Sequence, residues 1–103
     1  MDTISNVKNP TTKAGDGMLH ILLCDDDAIF TEALKRLIEA QPEFNRRYMQ
    51  IECVHDPNAL KKAAVQKADM IFLDIDMGDV NGIALARQIR TIRKDAVLIF
   101  VTN

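Results

Sequence analysis

Four short apolar runs divide the chain into alternating segments of two kinds. The runs are LHILLC (residues 19–24), the segment 49–54, the segment 70–73 and AVLIFV (residues 96–101). Between them, apolar residues recur at helical spacing at Phe30, Ala33, Leu34, Leu37 and Ile38, and later at Leu85, Ile89 and Ile92. The pattern predicts the order β-α-β-α-β-α-β, which with short links indicates an α/β fold with a parallel sheet and right-handed crossovers.

Capping residues predict where the helices begin. Asp27 is the candidate N-cap of the first helix. Asp56 followed by Pro57 combines a cap with the residue favoured at the first helical position, so the second helix is predicted from there to about Lys67. A polar loop over residues 76–81 leads to a third helix that begins near Gly82 and closes at residues 94–95.

The first 17 residues (MDTISNVKNPTTKAGDG) differ from the rest of the chain because they are polar and have no apolar periodicity. We expect a disordered leader or an added extension, with Met18 as the natural start and residues 18–103 as the folded domain. The leader lacks the apolar core of a signal peptide, which makes the cytoplasm the expected compartment. No apolar run reaches the roughly 18 residues that a membrane span needs.

Composition and charge narrow the class of protein. The chain has 103 residues, 48% of them apolar, with 13 Lys and Arg against 15 Asp and Glu, for a formal net charge of −2. These values predict one small soluble domain and provide no excess of basic residues for direct binding to nucleic acid. Cys24 and Cys53 have no metal-ligand spacing, so we expect reduced core thiols.

Acidic residues follow two of the predicted strands directly. Asp25 and Asp26 come after the first strand and Asp74 ends the third, while Thr102 follows the fourth. In an open parallel sheet, ligands bind at the carboxyl ends of the strands, so these four residues are expected to converge on one edge. Three carboxylates brought together repel one another unless a cation or proton is present, and Mg²⁺ prefers oxygen ligands of this kind. The sequence therefore predicts a magnesium site that orients a phosphoryl group beside a carboxylate.

Other polar residues have simpler interpretations. Asp27 is better explained as a helix cap than as a site residue. His20 and His55 lack a second ligand at zinc spacing. Five basic residues are predicted to lie on solvated helix faces, namely Lys61, Lys62, Arg87, Arg90 and Arg93.

The segments LLCDDD, IFLDIDMGDVNGIALARQIR and LIFVT together resemble the receiver domain of bacterial response regulators, the phosphoacceptor half of two-component signalling. The resemblance covers residues 18–103 and implies a flavodoxin-like (CheY-like) open doubly wound sheet of strand order 2-1-3-4. It implies that Asp74 is the phosphoacceptor and Thr102 the switch hydroxyl. It also implies a Mg²⁺ site formed by Asp26, Asp74, the backbone carbonyl of Asp76 and, mainly through water, Asp25.

The resemblance further implies a partner and an output. A sensor histidine kinase would transfer its phosphoryl group to Asp74, so the domain is expected to be modified itself and not to act as an enzyme. The chain is most similar to regulators with a LytTR-type DNA-binding output domain in three sequence segments, LDIDM, GIALARQIR and IFVTN. Contact with DNA is then expected only through that output domain, and no membrane partner is expected. Gly82 matches the glycine that opens the third helix of the family.

The sequence departs from the family pattern in three places. Gly78 stands where the family often has proline, which is expected to loosen the loop after Asp74. Asn103 follows the switch threonine where a small residue is usual. The sequence given also stops after the fourth strand, before the fourth helix, the fifth strand with its lysine, and the fifth helix of the family. A fourth strand that is apolar on both faces then predicts self-association.

Three other interpretations of the acidic segments compete with a functional receiver. Asp74-Ile75-Asp76 also resembles the DxD of haloacid-dehalogenase-type phosphohydrolases, but that class does not explain Asp25 and Asp26. A receiver that is never phosphorylated and acts only as an interaction module is the second alternative. A calcium-binding loop over DIDMGDVNG is excluded because Asp79 occupies the position that needs glycine.

Overall fold

The computed structural model describes residues 16–102 and shows a parallel four-stranded sheet with helices on both faces. The strands are β1 (Leu19–Cys24), β2 (Met49–Val54), β3 (Met70–Asp74), β4 (Asp76–Met77), β5 (Val80–Asn81) and β6 (Val97–Val101), and the helices are α1 (Ala28–Glu39), α2 (Lys62–Lys67) and α3 (Gly82–Ile92). The order in the large sheet is β2-β1-β3-β6. Since β6 is the fourth strand predicted from the sequence, the predicted order 2-1-3-4 and the flavodoxin-like fold are confirmed. Of the leader predicted over residues 1–17, residues 1–15 lie outside the described residues.

The core lies between the sheet and the helices α2 and α3. Leu22 of β1, with Ile71 and Leu73 of β3, packs there against Val65 of α2 and Ile89 of α3, and each of these side chains is at most 2% exposed. Strands buried on both faces read as continuous apolar runs, which is why the sequence pattern identified them. Within residues 16–102, no helix is long and apolar enough to cross a membrane.

The first helix confirms its predicted cap but not its predicted apolar face. The Asp27 side chain accepts a hydrogen bond from Phe30 N at 3.0 Å. The buried position of the helix is Thr31, whose hydroxyl donates to Asp27 O, whereas Leu37 is 60% exposed. Leu37 lies about 120° around the helix axis from the buried Thr31, so it faces solvent although it belongs to the predicted apolar stripe.

The second predicted helix is interrupted. Asp56 caps a short 3₁₀ turn over Pro57–Ala59, the backbone is extended at Leu60, and α2 begins only at Lys62. In one continuous helix, Leu60 and Val65 would lie about 140° apart around the axis. The interruption allows both side chains to pack against the core, which explains why the prediction of a single helix was wrong.

The polar loop predicted over residues 76–81 is a small hairpin. Asp76 pairs with Asn81 and Met77 with Val80 in an antiparallel ladder, and Gly78 has a φ of +63° in the two-residue turn between them. Glycine provides the positive φ that closes this turn, and a looser loop at Gly78 stays a prediction.

Arg93 was predicted to lie on a solvated helix face and is instead buried, with 5% of its surface exposed. Its guanidinium donates to the carbonyl oxygens of Gln66 and Ala68 and to the carboxylates of Asp69 and Asp95. The helical periodicity was misleading here because Arg93 follows the last helical residue and turns back toward the sheet.

Candidate functional site

The register of the sheet brings the predicted acidic residues to one edge. Cys24, the last residue of β1, pairs with Leu73 of β3, so that Asp25 and Asp74 follow at neighbouring strand ends. The amide of Asp25 extends the pairing by donating to Val54 O at 3.1 Å. The carboxyl edge of the sheet therefore contains the candidate site, as the topology rule for parallel sheets predicts.

Three carboxylates form a compact cluster at this edge. One carboxylate oxygen from each of Asp25, Asp26 and Asp74 lies within 4.8 Å of the others. Asp25 and Asp74 are each 5% exposed, whereas Asp26 faces solvent. Backbone amides contribute one hydrogen bond to each buried carboxylate, from Asp27 N to Asp25 Oδ1 at 2.9 Å and from Asp76 N to Asp74 Oδ1 at 3.2 Å.

The buried surroundings of the cluster raise the pKa values of groups in and beside it. Burial, together with the negative charges of Asp74 and Asp26, raises the pKa of the Asp25 carboxyl to about 6. The same surroundings act on Cys24, where burial and then the neighbouring aspartates raise the pKa of the thiol to about 11. Cys24 is thus a protonated, buried free thiol beside the site, in agreement with its predicted role in the core.

Comparison with known proteins identifies the family. The protein-family model of the response regulator receiver domain matches residues 21–103 of this chain. The chain belongs to the response regulator receiver domain family. Two curated relatives are sensory transduction proteins LytT, from Bacillus anthracis (32% identical over 85 residues) and from Enterococcus faecalis (30% over 84 residues). Each alignment covers 82% of this chain but only 33% and 34% of the relative, so the chain spans about a third of their length.

A solved structure adds a chemical comparison. The response regulator TrrA from Thermotoga maritima is similar to this chain with a TM-score of 0.65 and 31% identity, over 82% of this chain and 70% of that one. Its crystal structure is a complex with Mg²⁺-BeF. The similarity to LytT proteins is consistent with the resemblance to LytTR-type regulators predicted from the sequence.

The remaining predicted site residues of this receiver domain lie at the same edge. Asp76 is exposed in β4, and its amide contacts Asp74 as described. Asp74 pairs with Val101 in the sheet, so Thr102, which is exposed, comes one residue beyond that pair. Asp27 is occupied in capping α1, which supports its interpretation as a structural residue. Asn103 lies outside the described residues.

Gly82 is needed where α3 begins. A Cβ at this position would overlap the carbonyl oxygen of Asp74 and lie 2.7 Å from Ile75 Cα. The Gly82 amide donates to Ile75 O at 2.8 Å, and the Asn81 side chain caps the helix by accepting from Ile83 N. Glycine is required here because the backbone at the start of α3 contacts the backbone at the end of β3 directly.

Sequence reasoning missed the hairpin and its anchor. Met77 is 3% exposed and belongs to the core, although it stands in a segment that was interpreted as polar loop. The signal was present in the sequence, since Gly78-Asp79 between two apolar residues is a two-residue hairpin turn pattern.

The residues of this site fit a hard divalent cation. All the donors are carboxylate oxygens, which Mg²⁺ prefers, and burial followed by the charges of Asp74 and Asp26 raises the pKa of Asp25. Among residues 16–102, no lysine, arginine or histidine forms a salt bridge with any of the three. A bound cation would therefore remove the repulsion between the carboxylates.

Proposed function

We propose that this chain is the phosphoacceptor domain of a two-component response regulator and that Asp74 accepts the phosphoryl group. The observation that carries this proposal is the cluster of Asp25, Asp26 and Asp74 at the carboxyl edge of the sheet, with two of its members buried and no basic partner among the described residues. Burying like charges costs free energy, so a structural role alone does not account for the cluster.

Mg²⁺ is the proposed cofactor. Asp26 and Asp74 would hold it directly, Asp25 mainly through water, and the backbone carbonyl of Asp76 would supply a further ligand. The bound ion would neutralise the oxygens of the phosphoryl group. The TrrA complex with Mg²⁺-BeF supports this assignment by similarity.

Three residues have separate roles in the proposed phosphoryl transfer, namely Asp74, Asp76 and Thr102. One Asp74 oxygen attacks phosphorus, a P–O bond forms, and the P–N bond to the phosphohistidine of the kinase breaks, which leaves the electron pair on the imidazole. The Asp76 amide already contacts Asp74 Oδ1, so Oδ2 is the oxygen assigned to the attack. Thr102 directly follows β6. In the proposed reaction its hydroxyl donates a hydrogen bond to the phosphoryl group on Asp74 and so responds to phosphorylation.

The proposed partner is a sensor histidine kinase in the cytoplasm. The domain would carry the phosphoryl group on itself and would not turn over an external substrate. Because the curated LytT relatives are about three times as long as the aligned region, we propose that a DNA-binding output of the LytTR type acts in the full regulator.

Chemical trapping tests the assignment of the phosphoacceptor. The 103-residue chain is incubated with Mg²⁺ and a small acyl phosphate, reduced with borohydride and mapped by mass spectrometry. The expected label is on Asp74 and is absent from Asp74→Asn. Asp76→Asn is the matched control, since it removes the same charge two residues away and should keep the label. A label on Asp76 would instead favour the phosphohydrolase interpretation, and no label at all would favour a receiver that is never phosphorylated.

We also propose that a polypeptide of these 103 residues self-associates through β6. This strand is at one edge of the sheet that the structure describes, and Val97 and Phe100 on its opposite faces are 45% and 42% exposed. Apolar edge strands tend to pair with other chains. Light scattering at micromolar concentration should give a mass above 11.6 kDa. A monodisperse monomer would contradict the proposal.

A further inference from the structure

The hairpin between Asp74 and α3 contains a turn that depends on glycine. Met77 and Val80 flank a two-residue loop, and Gly78, its first residue, has a φ of +63°. No other residue type among the described residues has a positive φ, so Asp79 does not. Positive φ at the first position alone is the pattern of a type II′ turn, which has glycine there.

The ladder of this hairpin determines which way the backbone of Asp76 faces. The Gly82 amide donates to Ile75 O at 2.8 Å, which marks residues 75 and 82 as a hydrogen-bonded pair. Pairs in an antiparallel ladder alternate, so Asp76 and Asn81 form the pair whose amides and carbonyls face away from the partner strand. The Asp76 amide faces Asp74, and its carbonyl is on the same side of the strand.

The hairpin is fixed to the domain at both ends. Met77 is buried in the core at 3% exposure, and Val80 packs against the same core. Asn81 caps α3 through its side chain. At the tip, a Cβ on Gly78 would lie 3.9 Å from Asp26 Oδ2, which is ordinary van der Waals distance. The turn therefore lies next to a carboxylate of the site without filling it.

We infer that Gly78 is a positioning residue for the metal site, because its type II′ turn directs the Asp76 carbonyl toward the carboxylate cluster. This inference rests on the proposed function and deepens it. Proline, which the family often has at this position, fixes φ near −65° and cannot adopt the turn seen here. This chain thus orients its third metal ligand by a different backbone device.

The test compares two stereoisomers at one position. Gly78→Ala is expressed, and Gly78→D-Ala is assembled by ligating a synthetic segment that begins at Cys53 to residues 1–52. An L-residue disfavours positive φ whereas a D-residue favours it, so Gly78→Ala should bind Mg²⁺ about tenfold more weakly than wild type. Gly78→D-Ala should be within about twofold of wild type. Gly78→Pro should weaken binding by roughly a hundredfold.

A second measurement separates positioning from general stability. Hydrogen exchange of the Gly82 amide, which reports the Ile75 to Gly82 pair, should speed up about tenfold in Gly78→Ala and return to the wild-type rate in Gly78→D-Ala. Gly17→Ala is the control because Gly17 also has a positive φ, +78°, but has open space around it. That variant should change neither Mg²⁺ affinity nor Gly82 exchange.

The outcomes distinguish this inference from the proposed function. If wild type shows no Mg²⁺ binding that depends on Asp26, the proposed function fails and the positioning role fails with it. If wild type binds Mg²⁺ but the two stereoisomers bind it equally, or Gly78→Pro matches wild type, only the inference about Gly78 is overturned.

Discussion

The two ends of strand β3 each carry a buried aspartate, in opposite electrostatic environments. Asp69, directly before the strand, is 2% exposed. Its carboxylate accepts hydrogen bonds from Arg93 Nη2 at 3.2 Å and from His20 N at 2.8 Å. Asp74, the last residue of the strand, is 5% exposed and has a single backbone amide and two further aspartates as neighbours. The amino edge of the sheet is compensated, and the carboxyl edge is not.

The charged residues at one edge stabilise the fold, whereas those at the other edge oppose it. Arg93 reaches residues from the end of α2 and the start of β3, so one side chain holds several elements at the amino edge. At the carboxyl edge, removing a charge would relieve repulsion, yet three acids are kept together. A site that is retained against its own electrostatic cost is typical of ligand binding.

Removing the compensation at the amino edge should have the largest effect. Arg93→Met leaves the Asp69 carboxylate buried without its cation, which typically costs about 3–5 kcal/mol in the free energy of unfolding. Chemical denaturation measures the loss. Arg87→Met, which removes an exposed arginine from α3, is the matched control and should change stability by less than about 0.5 kcal/mol. Equal losses would show that the Arg93 pair has no special role.

Adding Mg²⁺ should have the next largest effect, through the carboxylates at the carboxyl edge. At a hundredfold excess over its dissociation constant, Mg²⁺ should raise the free energy of unfolding by about 2.7 kcal/mol. Asp26→Asn should abolish this gain. Asp27→Asn removes the same charge from the neighbouring residue and preserves a good N-cap, so it should retain the gain. Identical thermal shifts in wild type and Asp26→Asn would contradict a shared metal site.

Neutralising one carboxylate should stabilise the metal-free protein. Asp25→Asn relieves the repulsion from Asp74 and Asp26 and can still accept the hydrogen bond from Asp27 N. We expect a gain on the order of 1 kcal/mol at pH 7 in EDTA. Denaturant titration checks it, with Asp56→Asn as a comparison because Asp56 caps a turn outside the cluster. A loss of stability in Asp25→Asn would mean that the cluster is compensated after all.

The same carboxyl group of Asp25 gives the last prediction, a pH dependence of stability. The pKa of Asp25 rises from its ordinary value of 3.8 to about 6 in the folded protein, so its protonated form favours folding. This contribution is fully present below pH 3.8 and is lost as the pH rises through 6. In EDTA, wild-type stability should therefore decrease relative to Asp25→Asn between pH 4 and pH 7. Parallel pH profiles for the two proteins would contradict the raised pKa.

Elements that depend on local patterns could be predicted from the amino-acid sequence. Apolar runs gave the four strands of the sheet, Asp27 gave the start of α1, and the position of Asp25, Asp26 and Asp74 after strands predicted their convergence. These predictions succeeded because the carboxyl ends of parallel strands share one edge whatever the details of packing. The strand order itself came from the family resemblance and was confirmed by the structure.

Features that depend on contacts between distant residues could not be predicted in this way and became visible in the folded structure. The burial of Arg93 depends on acceptors in α2 and directly before β3, and the interruption before α2 depends on a core that both Leu60 and Val65 must reach. The exposure of Leu37 depends on how much of α1 the sheet covers. The φ of Gly78 depends on a hairpin whose anchor, Met77, is held by the core. In each case the local pattern allowed more than one conformation, and packing between elements far apart in the chain selected one.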